Sequence, residues 1–371
     1  MAKHKSTAQQ EEKPINEEML DLYADYLISS FGCTTATGLS AVLDGAVSHD
    51  QITRFLSERA YTNKDFWKLV KPLIRQKETE EGVLILDDTI EEKPYTDENA
   101  MIAWHWDHVL QRNVKGVNIV SLLYHNDQAT VPLGFAIVKK DKPYLDPKTG
   151  KPKRKSTVTK NELARELIGG AIQNQVQFHY VLADSWFSSQ ENMEFVLSKH
   201  KDFIFALKSN RTFAETYEEK LQGRFQAVES LAWKEPISKT GYLKGMDKKV
   251  RITRQIFTNE DGSTGILYLA TSDLTLEYTD ITMLYHKRWK VEEYHKSLKS
   301  NLGLAKSPTK RVQTQSNHFF ASIYAFVKLE LVSKATHLNH FALKTKLYLK
   351  ALQSSLSELR SLKTSCAIDC A

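Results

Sequence analysis

Acidic residues directly follow two apolar runs, a placement suited to binding a metal cation. In EGVLILDDTIEEKPY the run Val83–Leu86 ends in Asp87 and Asp88, and in HYVLADSWF a second run ends in Asp184. A carboxylate at the carboxyl end of a buried strand can bind a divalent ion while the sheet fixes its position. An acid at a strand end is also a common turn former, so neither site identifies the chemistry alone.

A third acid lies in a segment whose polar residues repeat with helical spacing. In YHKRWKVEEYHKSLKS, separations of three, four and seven positions relate Tyr285, Arg288, Glu292 and Lys299. At about 100° per residue these side chains fall within an arc of roughly 60° on one helical face. Glu293 points about 100° away from Glu292 and is the poorer candidate. A solvated face with i,i+4 ion pairs has the same spacing, so periodicity alone leaves both interpretations open.

Apolar patterns predict the elements that must position these residues. Val83–Leu86 has the continuous apolar character of a strand buried on both faces. The run that ends in Asp184 predicts a second buried strand, preceded by a helix. The other predicted elements are strands at 117–125, 131–140 and 203–210 and helices at 160–176, 279–300 and 316–335.

The segment before the first strand has a helical pattern and predicts a small N-terminal helical domain. Within it, TGLSAVLDGAVSHDQITRFLSERA is typical of helix, turn, helix, with Gly45 as the break and Ser48 as the N-cap. In this interpretation the residues directed towards DNA are Gln51, Arg54 and Arg59. Ordinary three-helix bundles share the pattern, so DNA contact remains one of two interpretations.

Two further segments differ in composition from the rest. Residues 139–160 contain nine Lys or Arg among Pro and Gly, which favours an exposed loop that contacts phosphate, although a solvated surface loop has the same composition. The basic residues singled out there are Lys151, Lys153, Arg154 and Lys155. Residues 211–269 have polar, Gly-spaced hairpin patterns, with an Asp-Gly turn between two alternating runs, and predict a β-rich insertion.

Composition limits the class of protein. The 371 residues are 41% hydrophobic and carry a net charge of +6, which indicates a globular chain but is no proof of nucleic-acid binding. No apolar run reaches the roughly 18 residues that span a bilayer, and the first residues lack a signal-peptide core, so an intracellular protein is expected. Three cysteines without a CxxC pair predict neither disulfides nor a zinc site. No metal-ligand role is assigned to the histidines His105, His108, His179, His286 and His295.

The segment around Glu292 resembles a family signature. Its spacing is similar to the Tyr-(2)-Arg-(3)-Glu-(6)-Lys signature of insertion-sequence transposases of the DDE superfamily, and Trp289 and the Tyr294–Lys296 run resemble that family as well. LILDDT and VLADSWF lie upstream in the expected order. The resemblance covers about residues 80–335.

The resemblance implies an α/β fold with a ribonuclease-H-like core at 80–210 and 270–340. It implies that the 211–269 segment is the β-rich insertion, that 1–79 is an N-terminal helical domain with possible DNA-end binding, and that 341–371 is a basic helical tail. Glu292 lies 108 positions after Asp184, a separation too long for one connecting segment but suitable for such an insertion. The implied location is the bacterial cytoplasm, in association with the nucleoid.

The resemblance also implies a metal-dependent DNA transposase with Asp88, Asp184 and Glu292 as catalytic metal ligands. The family's Asp-Thr pairing favours Asp88 over Asp87, but strand alternation does not distinguish them. Hard oxygen ligands imply Mg²⁺, with Mn²⁺ as a substitute, and two such ions about 4 Å apart suit in-line displacement at phosphorus.

The implied partners are double-stranded DNA, as terminal inverted repeats and target, and a second copy in a synaptic homodimer. The residues implied to contact DNA are Tyr285, Arg288, Trp289 and Lys299, together with Arg54 and the four basic residues of the 139–160 loop. Trp289 and Trp186 are candidates for stacking on an unpaired base, although core packing explains a Trp equally well. The alternatives are a ribonuclease-H-like nuclease that does not join DNA and a domesticated transposase that only binds it.

Overall fold

The computed structural model describes residues 14–108, 110–233, 238–258 and 261–369, with the backbone alone at 365–369. The polar segment before residue 14 and Cys370 lie outside the described residues. Within the described residues, no helix combines the length and apolar character needed to cross a membrane.

From residue 14 onwards, four helices precede the sheet: α1 (Glu17–Ser29), α2 (Ala36–Val42), α3 (His49–Ser57) and α4 (Asn63–Lys77). The predicted turn between α2 and α3 is confirmed, because Gly45 has a φ of +79° that favours glycine. The predicted N-cap is also confirmed. Ser48 Oγ accepts the backbone N–H of Gln51, and the Gln51 side chain accepts the backbone N–H of Ser48. This reciprocal capping fixes the start of α3.

The first half of the sheet is antiparallel and centred on its third strand. Its strands are β1 (Val83–Glu92), β2 (Ala103–Asp107), β3 (Arg112–His125) and β4 (Thr130–Ile137). Strand β3 pairs along one side with β1 and along the other with β2 and β4, all antiparallel. The apolar start of β1 is fully buried, which explains its continuous hydrophobic run.

A small hairpin and two parallel strands follow. The hairpin β5 (Lys142–Leu145) and β6 (Pro152–Lys155) forms a separate two-stranded sheet, and α5 (Lys160–Gln173) begins after it. The next elements are β7 (Tyr180–Ala183), α6 (Gln190–Ser198) and β8 (Asp202–Leu207). Strands β1, β7 and β8 are parallel to one another. Their carboxyl ends therefore share one edge of the sheet.

The 211–269 segment is β-rich, as predicted, but its strands extend the main sheet. It contains β9 (Thr212–Ala214), α7 (Tyr217–Leu221), β10 (Gln226–Ala227), β11 (Ser238–Leu243), β12 (Val250–Thr258) and β13 (Thr264–Thr271). The predicted Asp-Gly turn is present, with a φ of +81° at Gly262. Because β13 pairs with β8, one sheet of eleven described strands runs through the molecule.

Four helices complete the described chain: α8 (Tyr278–His286), α9 (Trp289–Asn301), α10 (Val312–Thr336) and α11 (His340–Asp369). Helix α10 is buried along most of its length and packs against α1. The Tyr23 hydroxyl lies 3.0 Å from His318 Nδ1 at that contact. The N-terminal helices and the sheet thus share one continuous apolar core.

Asn317 of α10 joins that helix to the N-terminal helices through hydrogen bonds. Its buried side chain accepts the backbone N–H of Tyr61 at 2.9 Å and donates to the carbonyl oxygens of Leu56 at 3.0 Å and Arg59 at 2.6 Å. These three groups belong to the end of α3 and its connection to α4. Since a buried backbone group without a partner is unfavourable, Asn317 fixes that connection against α10.

We expect Asn317→Ala to lower the free energy of unfolding by roughly 3 kcal/mol, because it leaves three backbone groups without partners. Urea denaturation measures the change. The control is Gln313→Ala, one turn earlier in α10, which removes one exposed bond to the Ser57 carbonyl and should cost below about 1 kcal/mol. Equal losses in both variants would contradict a special role for Asn317.

Candidate active site

Asp87 and Asp88 are adjacent in β1, so the pleat sends their side chains to opposite faces of the sheet. Asp87 faces the α8–α9 connection, where Arg288 Nη1 donates to its Oδ2 at 3.0 Å. Asp88 faces the start of α5. Lys160 Nζ donates to the two Asp88 oxygens at 2.8 and 2.9 Å, and Asn118 Nδ2 donates at 2.7 Å. The two acids thus have different cationic partners.

Asp184 lies immediately after β7, beside the acids of β1. The parallel register pairs Leu86 with Ala183. The residues that follow them, Asp87 and Asp184, therefore lie side by side. Asp184 Oδ1 also accepts the backbone N–H of Trp186 at 3.0 Å and of Phe187 at 3.4 Å. Asp184 therefore stabilises a turn and also lies beside the acids of β1. Its position fits both interpretations of the sequence, the turn former and the cation ligand.

The helix predicted over 279–300 is interrupted. Helix α8 ends at His286 and α9 begins at Trp289, with Lys287 and Arg288 between them in right-handed helical conformation. Here the backbone bonds span three residues, as in Val291 N–H to the Arg288 carbonyl at 3.0 Å. Such a tightened turn re-aims the side chains that follow it.

Glu292 lies in the first turn of α9 and faces Arg288, whose Nη1 is 3.7 Å from Glu292 Oε1. Glu293 faces solvent and pairs with Lys290 at 2.8 Å. The predicted difference in facing between the two glutamates is confirmed. A carboxylate in the first turn of a helix is also stabilised by the backbone N–H groups there.

The other three predicted residues of this segment have separate environments. Tyr285 is buried, which raises the pKa of its hydroxyl. Lys299 is exposed and its Nζ donates to the Ile90 carbonyl at 2.8 Å, farther along β1. Trp289 is 59% exposed, so core packing does not account for it. Arg288 and Glu292 thus meet the acids of the sheet, and Tyr285 lies beside Arg288, whose guanidinium carbon is 5.8 Å from the centre of the Tyr285 ring.

One potential metal-binding group contains a residue that the sequence reasoning missed. Ligand atoms of Asp87, Glu292 and His295 all lie within 4.8 Å of one another. Carboxylate oxygens suit Mg²⁺ and Mn²⁺, and imidazole nitrogen is an acceptable ligand for Mn²⁺. The side chains present thus fit a divalent cation. His295 follows Glu292 by three positions, and that helical spacing was the available signal.

Burial and the charges of neighbouring acids raise the pKa values of two of the acids, Asp87 and Asp184. Burial and the negative charge of Asp184 raise the pKa of Asp87 to about 8, although Arg288 opposes the rise. Burial also raises the pKa of Asp184, and the charge of Asp88 contributes while Arg288 opposes. Without a bound cation, the described site therefore disfavours full ionisation.

An aromatic row lies next to the acids. Trp186 is 41% exposed, and Lys160 Nζ lies 4.4 Å from the centre of its ring. The ring of His108 is 5.2 Å from Trp186 and 6.4 Å from the exposed Trp106. Exposed aromatic rings flanked by cations are suited to stacking on bases.

A basic pocket of about 440 Å³ adjoins Asp184. Its cations are Lys208, Arg211 and Lys244, and its remaining lining is Ser185, Trp186, Ser188, Ser189, Asn210 and Thr212. No acidic residue lines the pocket within the described part of the chain. Its charge therefore favours an anionic group. Sequence reasoning missed these three cations because they come from separate connections, Lys208 and Arg211 after β8 and Lys244 after β11.

The predicted basic loop is the exposed β5–β6 hairpin. Lys153 is paired with Asp146, whereas Lys151, Arg154 and Lys155 are exposed. Arg54 is exposed on α3. Arg59, also predicted to be directed towards DNA, instead donates to both oxygens of buried Asp65.

Comparison with protein families gives two matches. Residues 13–227, more than half of the chain, match the family model described as DDE superfamily endonuclease. Residues 146–327 match the model described as Transposase DDE domain, and that range includes Asp184 and Glu292. No curated protein matches the chain.

We expect Asp184→Asn to stabilise the metal-free protein by about 1 kcal/mol near pH 8, because it removes a negative charge that burial and the neighbouring Asp88 disfavour. An acid whose pKa is raised by folding stabilises the fold below its ordinary pKa of about 4 and loses that contribution as pH rises. Unfolding curves in chelator should therefore converge near pH 4 and separate at higher pH. The amide oxygen of Asn can still accept the two backbone N–H groups.

The control is Glu293→Gln, which removes an exposed charge and should change stability by less than about 0.5 kcal/mol at either pH. A wild-type protein more stable than Asp184→Asn at pH 8 would show that repulsion does not dominate at this site.

Proposed function

This chain belongs to the DDE superfamily of endonucleases, and from that premise we propose that it is a cut-and-paste transposase. It cleaves DNA at transposon ends and joins those ends to target DNA. The observation that carries the proposal is the convergence of Asp87, Asp184 and Glu292 near Arg288. The match to the transposase DDE domain over two of these acids supports it.

A ribonuclease-H-like core at 80–210 and 270–340 is part of the proposal. Antiparallel β1, β3 and β4, with β7 and β8 parallel to β1, support it, as does the supply of acids by two strands and a helix. In this division 211–269 is the insertion, 1–79 the end-binding helical domain and 341–371 the basic tail.

The proposed cation ligands are Asp184, Glu292 and one acid of β1. Family spacing favours Asp88, but the contacts support Asp87, because Asp87 shares a face with Arg288 and Glu292. Asp88 is already neutralised by Lys160. The cation is Mg²⁺, with Mn²⁺ as a substitute.

Bound divalent ions would supply activation of the attacking oxygen and stabilisation of the leaving oxygen in displacement at phosphorus. The chain's own residues orient the DNA. Arg288, held by Asp87, presents a guanidinium beside the acids, where it can bind a phosphate oxygen through two N–H groups. Lys299 is exposed near the carboxyl end of β1, where it donates to the Ile90 carbonyl. There it binds a different phosphate of the same DNA strand.

The proposed DNA path combines cations with exposed aromatic rings. It runs from the basic pocket past Trp186 and the acids to Trp289, and the β5–β6 hairpin and Arg54 contact flanking duplex. Cationic side chains bind phosphates without sequence preference, while exposed rings stack on unpaired bases. Two copies of the chain hold the two transposon ends in the synaptic complex.

The deciding experiment incubates purified protein with labelled DNA that carries the sequences flanking its own gene, with and without Mg²⁺. Ends joined to a target plasmid support the transposase. Cleavage without joining would identify a nuclease instead, and Mg²⁺-independent binding without cleavage would identify a domesticated DNA-binding protein.

We expect Glu292→Gln to abolish end cleavage, by at least about 100-fold, while DNA binding survives, because the change removes one cation-binding charge and leaves α9 intact. Gel assays of labelled ends measure both. Glu293→Gln, which alters the neighbouring exposed glutamate, should cleave normally.

The same assay distinguishes the acids of β1. If Asp87 is the ligand, Asp87→Asn loses cleavage as fully as Glu292→Gln, and Asp88→Asn retains part of it. The opposite order would restore Asp88 to the role that the sequence spacing predicts. Equal activity of all three variants and wild type would exclude the acidic group as the catalytic centre.

We expect combined neutralisation of Lys151, Lys153, Arg154 and Lys155 to weaken binding to any DNA sequence. Each phosphate contact contributes about 0.9 to the slope of log K against log salt, so the slope should fall by about three, given that Lys153 is already paired. Titration at several salt concentrations measures it. Replacing the exposed Lys68 and Lys71 of α4 is the control, and an unchanged slope in the hairpin variant would show that the hairpin does not contact DNA.

A further inference from the structure

His295 is a buried histidine on α9, one helical turn after Glu292. The side chain is 6% exposed, and its Nε2 is fully buried with no hydrogen-bond partner among the described residues. Buried polar atoms normally have partners, because losing their hydration is unfavourable. An unpartnered nitrogen in this position therefore requires an explanation.

A second histidine shows that burial alone is insufficient. His105 of β2 is also 6% exposed, and its Nε2 likewise lacks a partner among the described residues. His295 differs in its neighbours, because a ring nitrogen of His295 and oxygens of Asp87 and Glu292 lie within 4.8 Å of one another. His105 belongs to no such group within the described chain.

The group has the composition of a mixed metal site. Neutral imidazole nitrogen has a free lone pair and no charge, so it adds a ligand without adding to the repulsion between the carboxylates. Glu292 and His295 are three positions apart in one helix and therefore neighbours on its surface. Asp87 comes from the centre of the sheet, so both supporting elements are rigid.

We propose that His295 binds the divalent cation held between Asp87 and Glu292, which makes that position a nitrogen–oxygen site. The inference rests on the proposed function for the presence of the cation. It adds a ligand outside the three carboxylates and the signature residues. It also selects Asp87 as the acid of β1 at this position.

A nitrogen ligand changes which cation the site prefers. Mg²⁺ binds mainly to oxygen, whereas affinity for imidazole rises from Mn²⁺ towards the later transition metals. His295 should therefore favour Mn²⁺ over Mg²⁺. Removing its nitrogen should reduce Mn²⁺ affinity much more than Mg²⁺ affinity.

The test is pulsed electron paramagnetic resonance of Mn²⁺ bound to the full chain without DNA, in wild type, His295→Gln and His105→Gln. Wild type should show hyperfine coupling to a histidine nitrogen, and ¹⁵N-histidine labelling should change it in the manner that the different nuclear spin requires. His295→Gln should lose the coupling and bind Mn²⁺ about tenfold more weakly, with a smaller change for Mg²⁺. His105→Gln should match wild type.

Two outcomes would overturn the inference. One is Mn²⁺ binding that depends on Glu292 but shows no nitrogen coupling in labelled wild-type protein, a measurement that needs no stable His295 variant. The other is coupling that survives in folded His295→Gln or disappears in His105→Gln. The proposed function fails separately: a protein with the His295 coupling that neither cleaves nor joins its DNA ends would keep the metal site and lose the transposase.

Discussion

Carboxylates from β1, β7 and α9 converge at one edge of the sheet, and their mutual repulsion is the constraint that the surrounding structure must balance. Parallel pairing of β1 with β7 creates the problem, because it places Asp184, directly after β7, beside Asp87 in the middle of β1. Arg288 and Lys160 relieve part of it from opposite faces of the sheet. Burial, together with the repulsion that remains, raises the pKa values of Asp87 and Asp184.

This balance explains why the site combines rigidity with stored electrostatic energy. The acids are fixed by a buried strand and by a turn that Asp184 itself caps, so they have little freedom to separate. A cation that enters such a group replaces repulsion with attraction without much rearrangement. The buried acids at this edge of the sheet therefore lower the stability of the cation-free protein.

Much of this arrangement follows from local sequence. Apolar runs identified β1 and β7, an Asp-Gly turn identified the β12–β13 hairpin, and helical spacing separated Glu292 from Glu293. The facing of Asp87 and Asp88 was beyond local pattern, because it depends on which helix covers which side of the sheet. The break between α8 and α9 was likewise missed, since tightened turns leave little trace in periodicity.

Contacts between residues far apart in the sequence also limited what could be predicted from it. The 211–269 segment has hairpin patterns that indicate strands, but its connection to β8 in the main sheet is a tertiary contact. Arg59 was missed for a different reason: its partner Asp65 is near in sequence but lies across the connection to the next helix, where residue spacing has no fixed period. His295 was passed over because its three-residue spacing from Glu292 means little until Asp87 is known to face both.

The hydrogen bonds of Asn317 have a consequence for biosynthesis. They connect α10 to the α3–α4 connection, which leaves the ribosome some 256 residues earlier. These hydrogen bonds cannot form until Asn317 has emerged, and Glu292 emerges only shortly before it. A nascent chain thus lacks both its complete core and its full set of acids until synthesis is well advanced. The last acid of the group and the hydrogen-bond partner of the α3–α4 connection thus become available at nearly the same stage of synthesis.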